Sequence, residues 1–496
     1  MTPVRPSFVS LEIAPPDPVA VATALGRLPH GFLLHSGAGG SRGRWSFFGA
    51  EPFDVFGPDR YSEALALWRG FRPAAGGAPG EPGEPPFKGG LVGCWSYDFG
   101  RRLEKVPTLA RDDAGWPDVW LAAYDVVGAI DQVENRAWLF SSGQPATGAE
   151  GRRRAAERLE EFRARLEASP RTERESRVVA PTSIPPARST FSPDAFRAAV
   201  ESVREHIRRG DIFQANLSQR WTVPCSGPVR DTGLALFGAL AAHSPAPFAT
   251  WLDLGDFVVA SASPERFLEV RGRTVETRPI KGTRPRSADP AEDARLAAAL
   301  RASAKDRAEN VMIVDVLRND LGRVCETGSV IVPELCALES FAQVHHLTST
   351  VRGTLRTGAG GGAHGGAPGE AGSGSGSGAD AVDLLHACFP GGSITGAPKI
   401  RAMEVIETLE PVRRGLYTGA IGYLDWSGDA DWNIAIRTAA VTPGAIRFAA
   451  GGGITADSDP DAEFRETLAK AEGWRLAMAA LGLPVELELE PREIGT

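Results

Sequence analysis

Apolar positions along this chain follow two different rhythms, and the alternation between them predicts a mixed architecture. Residues 31–36 (GFLLHS) and 45–49 (WSFFG) are short apolar runs bounded by glycine, which read as strands with turns between them. Residues 149–168 switch period. Ala155, Leu159, Phe162 and Leu166 fall on one stripe of a helix whose other face is arginine and glutamate. A second helix opens with Ser192 as N-cap, Pro193 at the first helical position and Asp194 in the first turn. Its stripe is Phe196, Val200, Val203 and Ile207, and Gly210 ends it. Beyond Asp211 strands and helices mix without a regular βαβ repeat, which predicts an α+β fold.

Punctuation divides the chain. Residues 72–86 read as a Gly/Pro/Glu-rich loop, and 171–190 as a linker without periodicity. These bounds predict an N-terminal domain over 1–170 and a second, catalytic domain over 191–480. Within the latter, residues 357–380 are almost all glycine, serine and alanine. Such a segment cannot bury enough surface to offset chain entropy and reads as a flexible insertion.

Composition narrows the function classes. The 496 residues are 42% hydrophobic, enough for a large core, and the formal net charge is −8. No basic stripe supports nucleic-acid binding, and no apolar run of about 18 residues suggests a membrane span. Residues 1–20 lack the apolar core of a secretory signal. Five cysteines with no CxxC pair fit a reducing, cytoplasmic compartment.

Three clusters carry candidate chemistry. In Pro279–Arg286 (PIKGTRPR) a single lysine, Lys281, sits where a turn or strand end would hold it near backbone. Flanking Arg278 and Arg284, or partial burial, would lower its pKa and free the lone pair for attack. The common alternative is a solvated loop lysine. In the predicted helix 308–321, Glu309, Ile313, Val316 and Asp320 share a face. Carboxylates on such a face need a partner, either an arginine such as Arg318 or a cation. In the third cluster Asp459 and Pro460 start a helix that lines up Glu463, Glu466 and Lys470. Helix-dipole compensation with a Glu466–Lys470 pair would account for these charges. A glutamate on each of two helices, Glu309 and Glu466, would equally suit Mg²⁺. Gly451–Gly453 before that helix reads as a turn or an anion cradle. His345 and His346 are acid–base candidates or packing residues. No zinc spacing, P-loop or GxSxG elbow occurs.

Taken in order, DIFQANLSQR, SASPERF, PIKGTRPR, ENVMIVDVLRNDLGRV, HHLTSTV, FPGGSITGAPKIRAMEVI, RRGLYTGAIGYL, IAIRT and GGGITADSDPDAEFRET, which span about residues 190–475, resemble the chorismate-utilising enzymes. The N-terminal third resembles that family's N-terminal domain through LLHS. The resemblance implies a β-sandwich-like core wrapped by helices. It implies Mg²⁺ held by Glu309 and Glu466, with substrate contacts from Gly282, Thr283, Ser393, Tyr417, Arg437, Gly452, Gly453 and Lys470. Lys281 would be the nucleophile and Glu265 the general acid, with His346 the third catalytic residue. Lysine at position 281, where anthranilate-forming members carry alanine, resembles the branch that makes 4-amino-4-deoxychorismate for p-aminobenzoate. Gln214 stands where water-adding members carry lysine. Ammonia would come from a separate glutamine amidotransferase subunit, since no GxCxG-like turn surrounds any cysteine. Ser36, Arg44 and Pro247 match a tryptophan pocket. Two other readings are an anthranilate-forming enzyme that bears lysine and a silent tryptophan-binding subunit.

Overall fold

The computed structural model describes residues 8–37, 43–71, 83–168, 187–341, 344–358 and 378–483, together with 485 and 487. Most of the expected linker, most of the glycine-rich insertion and much of the 72–86 loop lie outside the described residues.

Two large antiparallel sheets, of twelve and ten strands, form the centre of the molecule. Both recruit strands from the two sequence regions. In the first sheet Phe32–His35 pairs with Phe248–Asp253, and in the second Gly90–Trp95 pairs with Ala420–Asp425. Side chains from the facing sides, including Phe32, Phe47, Val92, Cys94, Leu252, Val259 and Ile421, pack into one buried layer. Strands buried on both faces explain the near-continuous apolar runs of the sequence, since neither face needs a polar set.

Helices cover the outer faces. Gly148–Ala168 forms as its stripe predicts, with Ala155, Leu159 and Phe162 buried. Pro193–Arg208 is capped by the Ser192 side chain, which accepts from the Ala195 amide. All five cysteines are free and buried. Among the described residues no helix is long and apolar enough to cross a membrane.

Four elements bring the candidate residues together. Strand Gln214–Pro224 pairs with Ala445–Ile454 near one edge of the first sheet. Strand Ile280–Pro285 lies at an edge of the second sheet, against Val344–Thr354. Helix Ala304–Gly322 packs over that edge, and helix Pro460–Ala480 packs on Ala445–Ile454. The loop before helix Lys399–Leu409 closes the gap between the sheets. Its Ser393 carbonyl accepts from Lys281 of one sheet at 3.0 Å and from Asn216 of the other at 2.9 Å.

The structure revises three local expectations. Gly451–Gly453 is neither a turn nor a loop cradle but the end of strand Ala445–Ile454, in register with Asn216, Leu217 and Ser218. Glycine is needed there for room: a Cβ on Gly453 would lie 2.3 Å from the Gln214 amide nitrogen. Asp320 shares no site with Glu309. It pairs with Lys399 at 2.6 Å, while Arg318 pairs with Asp315 instead. The flanking arginines do not tune Lys281, because Arg278 is paired with Glu339 and Arg284 with Asp306.

Candidate active site

Lys281 occupies a strand whose ladder slips beside it. Lys281 pairs with Leu347 and Thr283 with His346, so Gly282 forms a bulge between them. Gly282 has φ +76°, and a Cβ there would also meet Leu300 at 2.8 Å and Asp306 at 2.9 Å. Two constraints therefore require glycine beside the lysine. The bulge aims Lys281 inward, where its amine donates to the Ser393 carbonyl. Burial pushes the Lys281 pKa down, against the pull of the Glu309, Glu265 and Glu466 carboxylates, and Lys470 adds to the lowering. A neutral amine is the form that can act as a nucleophile.

Glu265 follows the strand Val258–Ser263 and is buried. Burial raises its pKa, opposed by a hydrogen bond with Ser393 and by the nearby Lys281 ammonium. A carboxyl held above its usual range can keep a proton to donate. Lys281 and Glu265 thus share Ser393 as a neighbour and perturb one another.

The carboxylates of the two helices converge on the same place. Glu309 lies on helix Ala304–Gly322, and burial raises its pKa, opposed by Lys281 and Lys305 and reinforced by Asp306 and Glu463. Glu466 lies on helix Pro460–Ala480, which Asp459 caps through the Ala462 amide. Burial pushes Glu466 up, but the Lys470 ammonium at 2.6 Å outweighs it and holds the carboxyl below its usual range. Lys470 also donates to the Gly451 carbonyl at 2.8 Å.

Helical spacing puts Glu463 on the same face as Glu466 and Lys470. Glu463 is buried, accepts from the Ser458 hydroxyl at 2.6 Å, and is raised by burial and by the charge of Glu466. A Cβ on Gly452 would lie 3.0 Å from Glu463 and 3.4 Å from Glu466, so the glycine holds open the space before both carboxylates. The i,i+3 spacing of Glu463 and Glu466 was the signal available in the sequence.

This donor set suits a hard divalent cation. Glu309, Glu463 and Glu466 come from two helices, and Glu309 and Glu463 are raised partly by like charge, which a cation would relieve. Among the described residues no three His, Cys, Asp or Glu side chains close into a ready cage. An open set with few protein oxygens is the kind Mg²⁺ uses, keeping waters and substrate oxygens in the remaining positions.

The other expected residues fall around this core or apart from it. Thr283 bonds to Nδ1 of His346 at 2.9 Å, and burial lowers the His346 pKa to about 4, so its ring is neutral near pH 7. Its neighbour His345 is tied instead to Asp293 and Ser340, a structural role. Arg437 has φ +48°, is partly buried and lies close enough to act on His346. Burial lowers its pKa, and among the described residues it has no acidic partner, which leaves a guanidinium for an anion. Tyr417 is raised by burial, with the Arg414 guanidinium 6.0 Å from its ring. Ser36, Arg44 and Pro247 line a different cavity of about 620 Å³ between the sheets. There the Ser36 hydroxyl donates to the Pro247 carbonyl, and Arg44 is already paired with Asp131.

Part-buried Lys281 and buried Glu265 lie beside carboxylates from two helices, with Arg437 nearby, an arrangement equipped for nucleophilic and acid–base chemistry. Residues 59–475 match the family profile for chorismate binding enzymes, and the chain belongs to that family. It is 39% identical over 490 residues to anthranilate synthase component 1 of Streptomyces coelicolor, covering 96% of this chain and 89% of that one. It is 42% identical over 386 residues to aminodeoxychorismate synthase component 1 of Klebsiella aerogenes, covering 78% and 76%. The crystal structure of anthranilate synthase component I from Streptococcus pneumoniae superposes with a TM-score of 0.67 at 29% identity, covering 94% and 92%. The protein is a chorismate-utilising enzyme.

Proposed function

We propose that this chain is the chorismate-converting component of an aminodeoxychorismate synthase, which replaces the ring hydroxyl of chorismate with ammonia. The observation that carries this reading is Lys281, part-buried, held by the Ser393 carbonyl and lowered in pKa beside the buried, protonatable Glu265. Lys281 attacks C2 of the ring, so that a C2–N bond forms, both ring double bonds shift and the C4–O bond breaks. Glu265 gives the leaving hydroxyl its proton, and water departs. Ammonia then attacks C4, both double bonds shift back, the C2–N bond breaks to return Lys281 as the neutral amine, and the ammonium formed at C4 gives a proton back to Glu265. Water is lost and ammonia gained overall, giving 4-amino-4-deoxychorismate. Splitting one displacement in two lowers each barrier, and protonation makes hydroxide a workable leaving group.

The surrounding residues bind and orient. Glu309 and Glu466, with Glu463, would hold Mg²⁺, which when bound supplies positive charge for the ring carboxylate. Arg437 and Tyr417 take the enolpyruvyl carboxylate. Gly452, Gly453, Gly282, Thr283 and Ser393 shape the pocket, Lys470 adds charge, and neutral His346 packs beside Thr283. Gln214 supports ammonia over water. It is fully buried, and neither polar atom of its amide has a protein partner. A carboxamide cannot deprotonate water, whereas ammonia brings its own lone pair.

The test is product identity. Chorismate, magnesium and ammonium are incubated with the protein, followed by a lyase that aromatises aminodeoxychorismate. We expect p-aminobenzoate; anthranilate would establish the second reading, an anthranilate-forming enzyme, which the relatives equally favour. Glutamine should replace ammonium only when a glutamine amidotransferase subunit is added. The 620 Å³ cavity lined by Ser36, Arg44 and Pro247 is where tryptophan would bind. Glu309→Gln is expected to weaken magnesium binding by at least about tenfold in a calorimetric titration, since changes outside the ligand shell alone cost ~10–100-fold. Unchanged affinity would remove Glu309 from the metal set.

A further inference from the structure

Lys305 is misplaced by every local rule. It is the second residue of helix Ala304–Gly322, whose N-cap is Ser303. The helix dipole disfavours a cation there, typically by ~0.3–1 kcal/mol. Glu309 follows it at i+4, but lysine before glutamate is the weaker order for such a pair. That i,i+4 contact with Glu309 is too weak by itself to explain a lysine at this position.

The tertiary structure does. The Lys305 ammonium lies 3.9 Å from Glu309 and 3.9 Å from Glu463, on two different helices. It therefore stands between Glu309, which the Glu463 charge helps to raise, and Glu463, which the Glu466 charge helps to raise. Lys470 differs, because it is anchored to the Gly451 carbonyl as well as to Glu466. Among the described residues Lys305 has no backbone anchor, and its side chain is 52% exposed, against 14% for Glu309 and 6% for Glu463. It can swing into solvent without disturbing the core.

We propose that Lys305 is an exchangeable internal counterion, which bridges Glu309 and Glu463 until a divalent cation displaces it. This rests on the magnesium site proposed above. The lysine holds the two helices together in the metal-free protein. Its displacement sets the threshold of metal at which the site fills, and it makes binding reversible. A second function follows from geometry: the ammonium leaves toward solvent as the metal arrives, so the cleft is not left with excess charge.

The experiment titrates MgCl₂ into the full chain by calorimetry, without substrate, for wild type, Lys305→Met, Lys305→Arg and Glu309→Gln. Lys305→Met should bind magnesium about threefold to tenfold more tightly, the scale of one partly screened charge at this range. Lys305→Arg, which keeps the charge, should remain near wild type. In thermal unfolding, metal-free Lys305→Met should melt below wild type and gain more from saturating magnesium. Lys305→Gln serves if the methionine variant does not fold. Equal or weaker magnesium affinity in the neutral variants would overturn the counterion role while leaving the metal site intact. Absence of magnesium binding by wild type would overturn both proposals. Loss of binding in Glu309→Gln alone would uphold the site.

Discussion

Lys281→Ala is expected to abolish a covalent adduct that wild type forms with chorismate when ammonia is withheld. The adduct adds the mass of chorismate less one water, detectable by intact-protein mass spectrometry. Turnover with ammonium should fall by about 100-fold or more, equivalent to ~2.7 kcal/mol of barrier. Without the amine, ammonia must displace the hydroxyl in one step. The fall has a local cause. Lys281 contributes one hydrogen bond, to the Ser393 carbonyl, and its strand is held by the ladder to Val344–Thr354, so the alanine variant should fold. Chorismate binding measured by calorimetry should survive. An alanine variant with full activity, or a wild type with no adduct, would sink the nucleophile assignment.

Glu265→Gln is expected to lower turnover by about 10²–10⁴-fold, the usual contribution of a positioned general acid. The shape of the pH profile distinguishes this from a packing defect. The protonated fraction of Glu265 falls as pH rises, and the neutral fraction of Lys281 grows. Their product is bell-shaped whichever group titrates first. Burial raises the first pKa and lowers the second, which moves the two toward each other and enlarges the active fraction. Glutamine removes the first titration, so the variant's rate should only rise with pH until Lys281 is neutral. A variant that keeps the bell would show that another group supplies the proton.

Local pattern carried much of the fold into view. The stripes of Gly148–Ala168 and Pro193–Arg208, and the caps at Ser192 and Asp459, depend on residues within a few positions of one another. Such features are short-range and therefore readable. The same holds for the Glu466–Lys470 pair, which is one turn long. Gly451–Gly453 resisted reading because three glycines specify no conformation, and only pairing with Asn216–Ser218 extends them. Asp320 looked like a partner of Glu309 because both lie along one helix, but Lys399 comes from a distant segment. Arg278 and Arg284 looked available to Lys281 for the same reason, and remote carboxylates claim them.

By itself the sequence determined which residues are chemically equipped: one lysine between isoleucine and glycine, acids at helical spacing, and motifs in the order of the chorismate-utilising enzymes. It also determined the α+β class, through the change of period along the chain. Only the tertiary structure decided which acids meet the lysine. Glu265, Glu309 and Glu466 come from three places in the chain, and their approach is set by two sheet edges and two helices. Burial, which acts on every one of these groups, and the attraction between Lys281 and the acids exist only once those edges are joined.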